Sequence, residues 1–182
     1  MKFPFSLILP AFAFTLLTGC TSALLPPIQT LPTGKAIALQ TVLSENSGTY
    51  GCINYQPSSD SCKSQITFSL TQEGYQSRET GAASSFGSTQ RINVISNGTF
   101  RGGRGCISHS DVTVEAPSDQ SAQSFAQKFI RDTIIRYGGA CTTMYTASNG
   151  YVARTVGGDG RIFPPGDSTI HFFDAPKTIR AQ

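Results

Sequence analysis

Two histidines, an aspartate near one of them, a pair of arginines and five cysteines are the residues of this chain whose types and spacing can carry chemistry. His109 and Asp111 stand two apart, which on a strand puts both side chains on one face. Joined by His171, they would supply two imidazoles and a carboxylate, a donor set that suits zinc or a non-haem metal. None of the tight spacings of zinc motifs is present, so polar, hydrogen-bonded histidines are expected and no metal or cofactor is. A metal-dependent hydrolase on His109, Asp111 and His171 ranks third among the readings. The Gly102-Gly103-Arg104-Gly105 and Gly157-Gly158-Asp159-Gly160 runs lack the Lys-Ser/Thr of a phosphate loop and read as turns or bulges. No GxSxG elbow occurs.

Arg91 and Arg104 are the speculative ligand-binding pair. Asn97-Gly98 between two alternating runs is a strong hairpin signal. With those two residues as the loop, Arg91 falls directly opposite Arg104, and like charges in that position repel. Either the glycines at 102, 103 and 105 shift the register through a bulge, or an acidic partner sits between the arginines. Within the chain Glu79 or Glu115 would serve; from outside, a phosphate, lipid headgroup or acidic polymer would.

The elements that must position these residues begin with an export segment. Met1-Lys2 gives one positive charge, and residues 3–17 carry none. That run is short of the roughly 20 apolar residues a spanning helix needs, and Pro4 and Pro10 interrupt it. Leu17-Thr18-Gly19-Cys20 resembles the lipobox of bacterial lipoproteins. The resemblance implies a signal peptide over 1–19, cut before Cys20, and acyl chains (palmitate among them) on Cys20. More than one chain makes anchoring stable. Thr21 rather than Asp after that cysteine implies outer-membrane sorting, with the domain facing the periplasm. Residues 20–34 then form the lipidated cysteine and a Pro-rich tether, and a single globular domain spans 35–182. Gly166-Asp167-Ser168 resembles the start of the GDS lipolytic hydrolases, but in those enzymes the serine lies early in the domain. Here it lies near the C-terminus, and that reading is rejected.

With Cys20 assigned to lipid, Cys52, Cys62, Cys106 and Cys141 remain, and an oxidising periplasm favours two disulfides. Three pairings are possible. Cys52–Cys62 is favoured because turn-rich sequence separates them, and Cys106–Cys141 because they flank one helix. Charged residues are 14% of the chain, against an average of about 25%, and the net charge is only +3. Neither value suits nucleic acid, and export argues against it further.

Alternating runs predict strands at 35–45 (Ile37, Leu39, Thr41, Leu43 on one face), 49–55, 64–72, 140–147, 150–156 and 168–174. Residues 73–90 are small and polar and read as a mobile connection. Pro117-Ser118 with Asp119 starts a helix of about 118–137, and Gly138-Gly139 stops it. Its face with Phe125, Phe129, Ile130 and Ile134 is expected to pack inward. The fold class is therefore α+β: a mainly antiparallel sheet, one long amphipathic helix and two disulfides. The expected function is a non-enzymatic binding or scaffolding role at the cell envelope. The membrane is contacted through the lipid, and the partner is an envelope protein or polymer. An anion- or glycan-binding module using Arg91 and Arg104 is the alternative.

Overall fold

The computed structural model describes residues 32–85, 88–116, 120–164 and 166–180. The expected signal, Cys20 and most of the tether lie outside the described residues. In chain order the elements are β1 (Ala36–Ile37), α1 (Leu39–Glu45), β2 (Tyr50–Ile53), β3 (Ser61–Cys62), β4 (Ser64–Leu70), β5 (Gly74–Ser85), β6 (Ser88–Arg101), β7 (Arg104–Ile107), β8 (Val112–Glu115), α2 (Gln120–Arg136), β9 (Ala140–Ala147), β10 (Gly150–Gly157), β11 (Ser168–Phe173) and β12 (Thr178–Ile179). Short 3-10 turns occupy Pro57–Ser59 and His109–Asp111.

Eight strands close into an antiparallel barrel in the order β9-β10-β11-β2-β4-β5-β6-β7, with β7 pairing back onto β9. Closure removes the unpaired edges an open sheet would leave. Cys106 stands directly opposite Cys141 in that closing pair and is bonded to it. The second disulfide, Cys52–Cys62, ties β2 to β3. β3 pairs in parallel with β12 in a separate two-stranded sheet, and Arg180 just beyond β12 bonds the carbonyls of Ser61 and Asn54.

The predominantly antiparallel pairing and both disulfides agree with the sequence reading; the α+β assignment does not. This is a mostly β chain with a closed barrel and, among the described residues, two helices rather than one. The stretch read as a strand from Lys35 gives only β1 before turning into α1. Leu39, Val42 and Leu43 are its buried residues. Their spacing of three and four is helical, and the period-2 match over the same residues is accidental. α1 plugs one end of the barrel, where these side chains join Tyr75, Met144 and Ile170 in the main core cluster. Each such apolar side chain contributes about 1.5–3 kcal/mol on burial. The Leu39 N–H donates to the Gly103 carbonyl at 2.8 Å, so the β6–β7 turn caps the helix.

Residues 73–90, expected as a mobile connection, instead supply all of β5 and the start of β6. Asn97-Gly98, expected as a turn, lies inside β6 opposite Gln76 and Tyr75. The Asn97 side chain accepts from Gln76 Nε2 at 3.0 Å on the outer face. Gly98 faces inward, and a Cβ there would overlap the Tyr75 ring. The turn falls at Gly102 and Gly103, whose φ values of 56° and 79° favour glycine.

α2 lies outside the ring beside β8, which continues the β6 ladder past the end of β7. Its expected inward face is only half right: Ile134 is buried and Ile130 part-buried, but the two phenylalanines are not. Phe125 and Phe129 are 73% and 63% exposed, whereas Ile134 is buried. What meets β8 is glutamine. The Val114 N–H donates to Gln127 Oε1, and Gln127 Nε2 donates to the Val112 carbonyl at 2.9 Å. Gln123 Oε1 accepts from the Ala116 N–H at 3.4 Å. The helix thus stands in for a neighbouring strand and satisfies the β8 edge. Among the described residues no helix is long and apolar enough to cross a membrane.

Candidate functional site

Strand alternation sends every second side chain into a barrel, and eight strands leave room for a small ligand at most. Here Ile53, Ser64, Ile66, Phe68, Tyr75, Ser77 and Glu79, each on inward positions of β2, β4 and β5, line a cavity of about 300 Å³. Ser96 on β6, Ile107 on β7, Thr142 and Met144 on β9, Ala153 and Thr155 on β10, and Ser168 and Ile170 on β11 complete its wall. Leu39 and Tyr75 lie toward the end that α1 closes. At the opposite end Asn54, Lys63, Phe163, Pro164 and Gly166 border the cavity as a rim.

That rim is fastened. Buried Arg154 donates to both oxygens of Asp167, Nε–Oδ1 at 2.7 Å and Nη2–Oδ2 at 2.6 Å. The bidentate pair pins the loop between β10 and β11. The Asp167 hydrogen bonds hold the Arg154 guanidinium even above its ordinary value. The loop is also held by Arg161 at 4.5 Å over the Tyr137 ring and by Tyr137 at 5.0 Å from Phe163. Asp167 therefore belongs to an ion pair.

The cavity's carboxyl group is Glu79, with Lys63 at the rim. Ser64 Oγ donates to its Oε1 at 2.5 Å. Burial among protein atoms raises its carboxyl above the ordinary value; the Ser64 hydrogen bond and the Lys63 charge pull the other way and do not cancel it. Its surface that remains accessible faces the cavity it lines. Tyr75, edge-on to Phe68 at 6.4 Å, has its phenol pushed up to about 12 by burial. The arrangement is an apolar chamber with one carboxyl and a few hydroxyls on its wall, which is the chemistry of a small-molecule site.

The sequence-derived candidates fare differently. Arg91 stands opposite Ala82, and Arg104 opposite Arg101. The two arginines are ten positions apart in ladder terms, on the order of 30 Å along β6, and do not meet. The like-charge pair exists, but between Arg101 and Arg104 across the Gly102-Gly103 turn. Glu115 pairs instead with Arg78 at 2.9 Å, and Glu79 points into the barrel.

His109 and Asp111 lie on a 3-10 turn rather than a strand. Asp111 accepts from the Ser108 hydroxyl at 2.7 Å and the Ser108 N–H at 2.8 Å. Those bonds hold its carboxyl below the ordinary value. His171 sits on β11 beside Tyr55, with ring centroids 5.7 Å apart. Among the described residues no three His, Cys, Asp or Glu side chains are grouped to hold a metal. Cys52, Cys62, Cys106 and Cys141 are all in disulfides.

Sequence reasoning missed the cavity and Glu79. The signal was there: Tyr75, Ser77 and Glu79 alternate, followed by Gly81, but they lie in a stretch whose polarity reads as loop. No family model matches this chain, and neither a curated protein nor a solved structure matches it.

Proposed function

We propose that this protein is a non-enzymatic binding module of a bacterial cell envelope, tethered through lipid on Cys20, whose ligand site is the barrel interior. The observation that carries the reading is the cavity of about 300 Å³ with Ser64–Glu79 on its wall. A volume of that size is at the lower end of ligand pockets. The ligand class that fits is a small amphipathic molecule. Its apolar body lies against Phe68, Tyr75, Met144 and Ile170, and a hydroxyl or amine meets Glu79. The outer-membrane placement and the envelope partner belong to the same proposal and rest on the lipobox resemblance alone. Arg91 and Arg104 do not form the site.

Titration with 1-aminonaphthalene, followed by its fluorescence, tests the site. Saturable one-to-one binding is expected. Ser77→Phe, which fills the chamber, should abolish it, and Glu79→Gln should weaken it at least threefold. Absence of saturable binding, or binding indifferent to Ser77→Phe in a folded variant, sinks the proposal.

A further inference from the structure

Phe125 and Phe129 on α2 stack at 6.4 Å, exposed, and Ile135 on the same helix is 56% exposed. A single exposed apolar residue is ordinary, but a cluster on one helix face is not. With the glutamine face turned to β8, the outward seam of α2 reads Phe125, Lys128, Asp132, Ile135, spaced three, four, three. That is the spacing of a helix-pairing seam.

In an antiparallel helix pair related by a two-fold axis, two residues oppose each other when they lie equally far on either side of the axis. Phe125 and Ile135 are both five residues from position 130; Lys128 and Asp132 are both two residues from it. One axis therefore sets apolar against apolar and cation against anion, twice each. Phe129, next to the axis, approaches its own copy. Within one chain Lys128 Nζ already bonds Asp132 Oδ2 at 2.6 Å, so pairing two copies joins two such ion pairs into one neutral network. We propose that the outer face of α2 is the interface of a two-fold homodimer, and that the occupant of this face is a second copy of the chain.

Charge reversal tests both the surface and its symmetry. The full chain in density-matched mild detergent should show reversible dimerisation by sedimentation equilibrium. Lys128→Asp alone and Asp132→Lys alone should each weaken it at least tenfold, by setting like charges across the axis. Mixing those two variants should restore association, because each then meets its opposite charge on the other chain. An effect confined to the pair within one helix would not recover on mixing. Phe125→Ser should abolish dimerisation with an unchanged circular dichroism spectrum. A monomeric wild type, association insensitive to these substitutions, or no recovery on mixing overturns the proposal.

Discussion

At the scale of single residues, the cavity wall combines a group that burial disfavours with glycines that make room for a ring. Burial is the largest influence on Glu79 and raises its carboxyl above the ordinary 4.5. A raised carboxyl contributes stability that is fully present below about 4.5 and is lost as pH climbs through the folded-state value. The stability difference between Glu79→Gln and wild type should therefore shift in the variant's favour from pH 4 toward pH 8. Urea midpoints measured across that range give the difference, and parallel curves for the two proteins would refute it. Gly98 is a second case. Its missing Cβ leaves space for the Tyr75 ring, so Gly98→Ala overpacks the barrel and should cost about 1–3 kcal/mol. An unfolding free energy within 0.5 kcal/mol of wild type (roughly the scatter of a neutral surface change) would show that the ring has room to move. Neither role is visible locally in the sequence. Asn-Gly carries a strong turn signal, and only the partner strand shows that here Asn97 faces out and Gly98 in.

Elements show how far periodicity reaches and where it stops. α2 was legible in existence and approximate extent, from its periodic run and the Gly138-Gly139 stop; the expected start at 117–119 lies outside the described residues. The orientation of α2 was legible only in part, because hydrophobicity finds Ile130 and Ile134 but also selects the exposed Phe125 and Phe129. Gln123 and Gln127 share the inner face with Ile130 and Ile134, and their spacing of four is a helical repeat hidden in polar residues. The partner of α2 is a strand edge that needs hydrogen bonds more than oil, which is why polar side chains face it. Gln127→Ala should leave the Val114 N–H and the Val112 carbonyl without their side-chain partners, at a cost of about 1–3 kcal/mol. Hydrogen exchange at the Val114 amide should accelerate together with the loss of stability. Unchanged protection at Val114 would mean that α2 does not shield this edge. Phe129→Asp should leave the fold intact, since that ring is largely exposed.

The whole molecule depends on one pairing between distant segments. The strand runs at 49–55, 64–72, 140–147, 150–156 and 168–174 were readable along the chain, those at 35–45 and 73–90 were not, and both disulfides followed from where their cysteines stand. Closure was not readable, because it requires β7 to find β9 across β8 and α2, and no local pattern encodes that meeting. Cys106–Cys141 is the covalent record of it. The bond spans 35 residues of sequence, whereas Cys52–Cys62 spans 10. In the chain-entropy model those loops correspond to about 4 and about 3 kcal/mol. Position widens the gap. Cys52–Cys62 joins β2 to β3, whose neighbouring segments already pair with other strands, but Cys106–Cys141 lies in the three-residue ladder that closes the ring. Replacing Cys106 and Cys141 together with alanine should therefore destabilise the fold by more than the equivalent Cys52/Cys62 double variant, by at least about 1 kcal/mol. It should also weaken 1-aminonaphthalene binding in protein that is still folded, because a loosened seam no longer holds Thr142 and Met144 in the cavity wall. Urea unfolding and dye titration on both double variants check the two parts. Equal losses of stability, with undiminished binding in the Cys106/Cys141 variant, would mean that strand pairing alone holds the barrel closed.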